Sequence, residues 1–535
     1  GRGGRSLGLG QRVRRLFKHG KVFGRFASYM SKTVKTRIGS REVGQDKKWR
    51  EFVRACLAAL VLASLCSRAD AAVYYVATNG NDLNPGTVEL PFATPQRAVT
   101  NAALAPGDII YVRGGVYMLN TPVKPAKHGT ATNYIRLWAY PGETPIFDFS
   151  GMSTVEKALD VRRNYWHVKG IVVRYAPDNG IFVAGLGNII EGCTVHDCKN
   201  DGFVLGSTSA RCTNALILNC DSYRNFQPSS GGNNGDGFAA KAGAGPGNVF
   251  IGCRAWHNSD DGWDFYYNTN CPVVLSNCWA FMNGYDLWGV GTNFSGNGNG
   301  FKLGGAGTRA GHFLTNCVAF CNANKGFDHN HSQAGQTIVN CTGYSNRVNF
   351  SFYETPAVGT NLLINNVAFE RTPTNLDPTT IQISNSWQHF VVSAADFASL
   401  DVSLALAPRG PDYTLPTNAF LRLAHGSRLI DAGANVGLPY LGAAPDLGAF
   451  EFVPAAPEPG PFRILSIELL PTNAVQLRWE SVPGMSYRVE ATERMCDASW
   501  VLRQLVLATG TVSTCIEPAT GAAQRYFRVV LTTAP

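Results

Sequence analysis

The sequence predicts an all-β protein, a right-handed parallel β-helix followed by a small β-sandwich. Three observations carry this. Between about residues 160 and 370 an apolar strand ending in cysteine recurs, in "IIEGC" (Cys193), "LILNC" (Cys220), "VFIGC" (Cys253), "VVLSNC" (Cys278), "FLTNC" (Cys317) and "TIVNC" (Cys341). Interleaved with it, a glycine followed by a bulky apolar residue returns at Gly180, Gly202, Gly237, Gly262, Gly300 and Gly326, at intervals of 22, 35, 25, 38 and 26 residues. A coil of that length with occasional loop insertions is the period of a stacked β-solenoid, whose repeats bury a common core only by stacking. Past a Pro-rich linker, "VPAAPEPGPF" (Val453 to Phe462), the pattern changes to longer alternating strands.

In chain order, residues 1–71 read as a basic leader and signal peptide. "KKWREFVR" supplies a basic n-region, "ACLAALVLASLC" an apolar run, and "ADA" before Ala72 a small-x-small cleavage site. The run is too short to span a bilayer comfortably, and Leu65 before Cys66 is too bulky for a lipid-attachment box. The expected mature protein is therefore secreted and has no transmembrane segment. The first 46 residues exceed an ordinary signal; they read as a long n-region, as an over-extended reading frame with Met30 a candidate start, or as a genuine disordered arm. Residues 1–72 carry 17 Lys+Arg against 4 Asp+Glu, so 30 basic and 34 acidic residues remain in 73–535, a balance of −4. The +9 of the whole chain belongs to the leader, and charge implies no nucleic-acid partner.

The β-helix is expected over 73–452. "YYVATNG" opens it as strand and turn, Thr94 to Leu104 reads as a short amphipathic helix able to cover an open end, and "PGD" at Pro106–Asp108 turns into an apolar strand. Coils stack about 4.8 Å apart, so equivalent residues form ladders. The six cysteines become a buried ladder, and Phe203, Phe238, Trp263, Phe301 and Phe327 an aromatic one. One cysteine per coil without C-x-x-C spacing argues for packing over metal binding. Asn219, Asn277, Asn316 and Asn340, each just before a cysteine, are expected to bond along the turn as an asparagine ladder. After about Asn366 the repeat fades, and "FLRLAHGSRLIDAGANVGLPYLGAAPDLGAFEF" reads as a closing segment against the coils. Beyond the linker at 453–462, residues 463–535 are expected to form the sandwich, with Trp479, Tyr487, Trp500 and Phe527 in its core. A Cys496–Cys515 disulfide would suit an oxidising destination, and the spacing leaves it open.

Aligning the coils on their glycines locates a site. Two residues after each glycine stand Phe182, Val204, Ala239, Asp264, Lys302 and Asp328. Strand alternation turns the residue after glycine inward and this one outward, so Asp264, Lys302 and Asp328 should share one exposed column. One residue before glycine stand Asn179, Asp201, Asp236, Asp261, Asn299 and Lys325, which makes Asp236 and Asp261 neighbours in space. Four carboxylates, Asp236, Asp260, Asp261 and Asp264, should thus converge beside Lys302. Like charges so close need a compensating cation; hard oxygens in excess of basic partners suit Ca²⁺, whose flexible shell tolerates ligands from two coils. Lys241, on the outward parity after Gly237, is a candidate for binding substrate carboxylates, as are Arg254 and Arg347. His257, His329 and His331 lie near the same coils without the spacing of a metal site or a triad.

The motifs "NGDGFAAK", "CRAWHNSDDGWDFY", "CWAFMNG", "GNGNGFKLGG" and "CVAFCNANKGFDHNHSQ" resemble the pectate lyases of polysaccharide lyase family nine. The similarity extends to the "YYVATNG…PGDIIYVRGG" opening and the "APDLGAFE" closing segment, about 73–452. It implies a monomeric lyase acting on an acidic plant-type polysaccharide, with calcium at Asp236, Asp260, Asp261 and Asp264 and a catalytic base at Lys302. The "LRW", "YRV" and "YFRVV" strands resemble a fibronectin type III-like module. Other readings stay open: a β-helical glycoside hydrolase of the polygalacturonase type, although its GHG and R-x-K elements are not apparent, and a non-catalytic, calcium-bound carbohydrate-binding β-helix. A third keeps the site and the chemistry and changes the polymer, a rhamnogalacturonan or other uronate lyase.

Overall fold

The computed structural model describes residues 71–305, 307–453, 462–493, 500–519 and 524–532. The leader and its cleavage site lie outside them, as do most of the linker and Cys496 of the expected disulfide. From Val73 to Ile383 the chain winds as a right-handed parallel β-helix with sheets of twelve, ten and nine strands. Each strand pairs in parallel with its counterpart one coil on. An apolar ladder runs up the twelve-stranded sheet through Ile110, Leu137, Val168, Ile190, Ile217, Phe250, Leu275, Leu314, Ile338 and Leu363. All ten are fully buried, and their stacking removes apolar surface from water in every coil.

The coils therefore extend beyond 160–370 in both directions. Val73–Val76 already pairs with Ile109–Val112, and Ile381–Ile383 forms the last rung. The early coils escape the repeat pattern because aliphatic ladders do their packing before the cysteine and glycine positions begin. The six ladder cysteines are free and buried in the main core. The aromatic ladder stacks at centroid distances of 4.8, 4.7, 4.8 and 5.1 Å, and Phe350 continues it at 4.8 Å.

The asparagine ladder is not where the pattern before cysteine put it. Asn219, Asn277, Asn316 and Asn340 have φ between 50 and 54°. They hold the left-handed turn from the twelve-stranded to the ten-stranded sheet, a conformation asparagine tolerates and glycine takes freely. Gly170, Gly192 and Gly252 occupy the same turn in other coils with positive φ. At Gly192 a Cβ would also lie 2.4 Å from the Tyr413 ring. The long ladder runs instead through Asn225, Asn258, Asn283, Asn322, Asn346 and Asn349, each amide donating to the next Oδ1 at 2.9 to 3.0 Å. These residues satisfy one another inside the turn before the nine-stranded sheet, as buried amides must.

The helix is Pro95–Val99, shorter than expected; Thr94 caps it by accepting from Arg97 N, and Ala98 and Val99 reach the core. It ends early because Asn101 accepts from Ala103 N and draws the backbone into a local turn. After the coils, Phe397, Phe420, Leu421, Leu423, Leu429 and Leu447 pack on Trp279, Phe281, Val318 and Phe320 of the ten-stranded sheet. Six strands, the first Ile464–Leu470 and the last Tyr526–Thr532, form two three-stranded antiparallel sheets around Leu477, Trp479, Tyr487 and Val489. Phe527 packs against that core. Trp500 does not join it: the ring is half-buried under the Arg528 guanidinium, 4.5 Å from its centroid. Among the described residues no helix is long and apolar enough to cross a membrane.

Candidate active site

The nine-stranded sheet carries the acidic column. Phe238–Ala239, Trp263–Asp264, Phe301–Lys302 and Lys325–Asp328 are successive strands, with Ala239 paired to Asp264, Asp264 to Lys302 and Lys302 to Asp328. The expected register holds; the expected exposure does not. Asp264 is 3% exposed, Lys302 9% and Asp328 1%. These side chains point away from the apolar interior but cover one another, and the Tyr266 ring lies 5.5 Å from Lys302 Nζ.

The residues before the glycines form a polar ladder of their own. Asp201 Oδ1 accepts from Asp236 N at 3.2 Å, Asp236 Oδ1 from Asp261 N at 2.9 Å, Asp261 Oδ1 from Asn299 N at 2.8 Å, and Asn299 Oδ1 from Lys325 N at 3.3 Å. One oxygen of each carboxylate is thereby spent on the next coil. One carboxylate oxygen from each of Asp236, Asp261 and Asp264 lies within 4.8 Å of the other two. Lys241 Nζ lies 2.8 Å from Asp236, 3.2 Å from Asp264 and 3.5 Å from Asp201. Lys302 Nζ lies 3.1 Å from Asp261 and 3.6 Å from Asp264.

Asp260 is not in this trio. Its Oδ2 accepts from Asn234 N at 2.8 Å and its Oδ1 from Asn297 N at 2.5 Å, so it ties together the two long insertions that interrupt the repeat. Arg254 belongs elsewhere: its strand lies in the ten-stranded sheet, where its guanidinium clasps Asp221 and donates to the carbonyls of Ala405 and Ala407. It is a buried anchor for the closing segment and does not face the column. Arg347 is exposed on the turn entering Val348–Phe352, and among the described residues no ion pair joins it to the cluster. His329 is buried and accepts from Glu354 N, while His331 pairs with Glu354 at 2.6 Å. Sequence reasoning missed Asp201 and Tyr266. The first was visible as a member of the pre-glycine column; the second lies just past the strand, where no repeat marks it.

Burial pushes the Asp261 carboxyl up to about 7, with Asp260 and Asp264 adding to the rise and Lys302 opposing it. Burial also carries Asp236 well above the carboxylate range. For Asp264 burial acts in the same sense, but Lys241 and Lys302 outweigh it and hold the group low. Burial alone would lower Lys302; Asp261, Asp264, Asp236 and Asp260 reverse this and raise it above the ordinary lysine value. Asp261 Oδ2 is buried and makes no hydrogen bond; the Lys302 ammonium stands 3.1 Å from it as an ion-pair partner. A carboxylate oxygen free of hydrogen bonds, close to two further carboxylates, is a donor set for a hard, oxygen-seeking cation.

Residues 74–368 match a family profile described as "Pel9A-like, right handed beta helix region". The chain is 38% identical over 397 residues to pectate lyase L of Dickeya dadantii, covering 71% of this chain and 90% of that one. It is 33% identical over 405 residues to pectate lyase PEL9 of Emericella nidulans, covering 69% and 96%. The crystal structure of pectate lyase Pel9A superposes with a TM-score of 0.67 at 36% identity over 72% of this chain and 97% of that one. A rhamnogalacturonan lyase structure does so with a TM-score of 0.58 at 27% identity over 66% and 96%. With the profile matching more than half of its length, the chain belongs to the Pel9A-like family of right-handed β-helices.

Proposed function

We propose that the chain is a secreted, calcium-dependent pectate lyase that cleaves polygalacturonate-type polymers by β-elimination with Lys302 as the base. The single observation that carries the site assignment is the meeting of Lys302 with the three-carboxylate cluster, 3.1 Å from Asp261 and 3.6 Å from Asp264. The trio of Asp236, Asp261 and Asp264 fits calcium by donor chemistry and by an Asp261 Oδ2 that makes no hydrogen bond; Asp260 completes the proposed set if its insertions release one oxygen.

In this reading the neutral amine of Lys302 takes the proton from C5 of a uronate. The C5–H electron pair forms the C4–C5 double bond, and the bond from C4 to its glycosidic oxygen breaks, the oxygen leaving with the bonding pair and taking a proton from water to become the hydroxyl of the released sugar. Bound calcium would neutralise the carboxylates and stabilise the negative charge developing on the C6 carboxyl group. Once the surrounding charge is offset, burial is what remains to act on Lys302, and burial favours the neutral amine. The two antiparallel sheets after 462 are read as an accessory module of fibronectin type III type.

The test is a calcium-dependent activity panel over pectic substrates, read by ultraviolet absorbance of the unsaturated product, with EDTA and Lys302→Ala controls. Turnover of polygalacturonate that EDTA abolishes supports the reading. Turnover of rhamnogalacturonan alone moves the substrate assignment, and saturated products alone identify a hydrolase instead.

A further inference from the structure

The two ammonium groups at the acidic cluster divide its oxygens between them. Lys241 Nζ covers Asp236 Oδ2 and Asp264 Oδ2 at 2.8 and 3.2 Å, and Lys302 Nζ covers Asp261 Oδ2 and Asp264 Oδ2 at 3.1 and 3.6 Å. Two unit charges thus stand against the same trio that a dication would bridge. Calcium holds oxygen ligands at about 2.3–2.6 Å, so the space among these oxygens does not accommodate the ion and both ammoniums together.

The two lysines differ in how they are held. Lys302 is a strand residue, paired on both sides. Lys241 follows the short strand Phe238–Ala239, and its side chain keeps 22% of its surface in solvent. It also has another partner: Asp201 Oδ2, 3.5 Å from Nζ, sits one coil earlier in the pre-glycine column and outside the trio. The Lys241 ammonium can therefore leave Asp236 and Asp264 without becoming an unpaired buried charge, which would be costly.

We infer that Lys241 is an internal counter-ion that competes with the divalent cation for Asp236 and Asp264, and that Asp201 receives it when the cation binds. The inference rests on the calcium reading above. Lys241 then weakens calcium binding while stabilising the metal-free cluster, so its removal shifts the two properties in opposite directions.

The experiment is calorimetric titration of calcium into the EDTA-stripped full chain, with thermal denaturation of the stripped proteins, for wild type, Lys241→Met, Asp201→Asn and the double variant. Lys241→Met should tighten calcium by roughly tenfold or more, the scale of a close charge pair, and lower the Tm of the stripped protein. Asp201→Asn should weaken calcium binding only while Lys241 is present, a coupling the double variant isolates. Calcium binding by Lys241→Met that is unchanged or weaker overturns the inference and leaves the calcium reading standing; a wild type that binds no calcium overturns both. Should Lys241→Met fail to fold, Lys241→Arg keeps the charge in a fork that grips carboxylates more firmly. It should bind calcium no more tightly than wild type, and tighter binding there overturns the inference.

Discussion

Lys302 Nζ sits against Asp261 and Asp264 with the Tyr266 ring beside it, so its proton is held until the carboxylate charge is offset. Lys302→Ala should reduce turnover about 10²–10⁴-fold, the usual contribution of a general base, while the calorimetric signature of calcium binding persists. With calcium saturating, the rate should climb toward alkaline pH as the remaining ammonium deprotonates; undiminished activity near about pH 5, far below an ordinary lysine, would falsify the assignment of Lys302 as base. These residues were legible because strand alternation fixes which side of the sheet a residue takes once glycine marks the register. Lys241 was legible only by parity: its capture by three aspartates depends on the turn after Ala239, which does not repeat. Asp260 shows the same limit, since its partners Asn234 and Asn297 come from insertions whose paths no periodicity describes.

Among elements, the asparagine ladder and the closing segment do different work. Asn283 accepts from Asn258 Nδ2 and donates to Asn322 Oδ1 while fully buried. Asn283→Ala should strand both neighbours and destabilise the protein by about 1–3 kcal/mol per unsatisfied group, measured by chemical denaturation. The sequence placed a ladder in the wrong turn because asparagine serves two purposes here, left-handed backbone and amide pairing, and only φ separates them. The closing segment is pinned where Asp221 takes Arg254 and Arg409 together, at 2.8 and 2.7 Å. Burial would raise the Asp221 carboxyl, but Arg409 and Arg254 outweigh it and hold it below the usual range. A depressed carboxylate contributes stability that is fully present above about pH 4 and lost as pH falls through the folded value. Thermal melts across that acid limb should show a steep loss in wild type. Asp221→Asn should lack this component and be less stable at neutral pH, by about 3–5 kcal/mol for a buried pair left half-broken.

At the scale of the whole molecule, the solenoid was legible from its middle coils and obscured at its ends. Gly-aromatic and apolar-Cys signatures exist where the nine-stranded sheet carries large inward rings; before Leu159 and after Phe352 other side chains fill the same volumes, and only pairing reveals the continuity. The trio and both lysines are drawn from three successive coils, with Asp201 on the coil before. Because each coil contacts chiefly its neighbours, stability and chemistry are separable along the axis. A β-helix is nearly symmetric under translation by one rung, and in the nine-stranded sheet this chain breaks that symmetry where Asp264, Lys302 and Asp328 alternate in sign. Chemistry here is thus a matter of phase along a lattice. Duplicating one coil between Asp264 and Lys302 should displace the base by a further rung, about 4.8 Å, and silence an otherwise folded enzyme, as read by activity and by far-UV dichroism. The same duplication beyond Phe352 lengthens the lattice without changing the phase and should leave turnover intact.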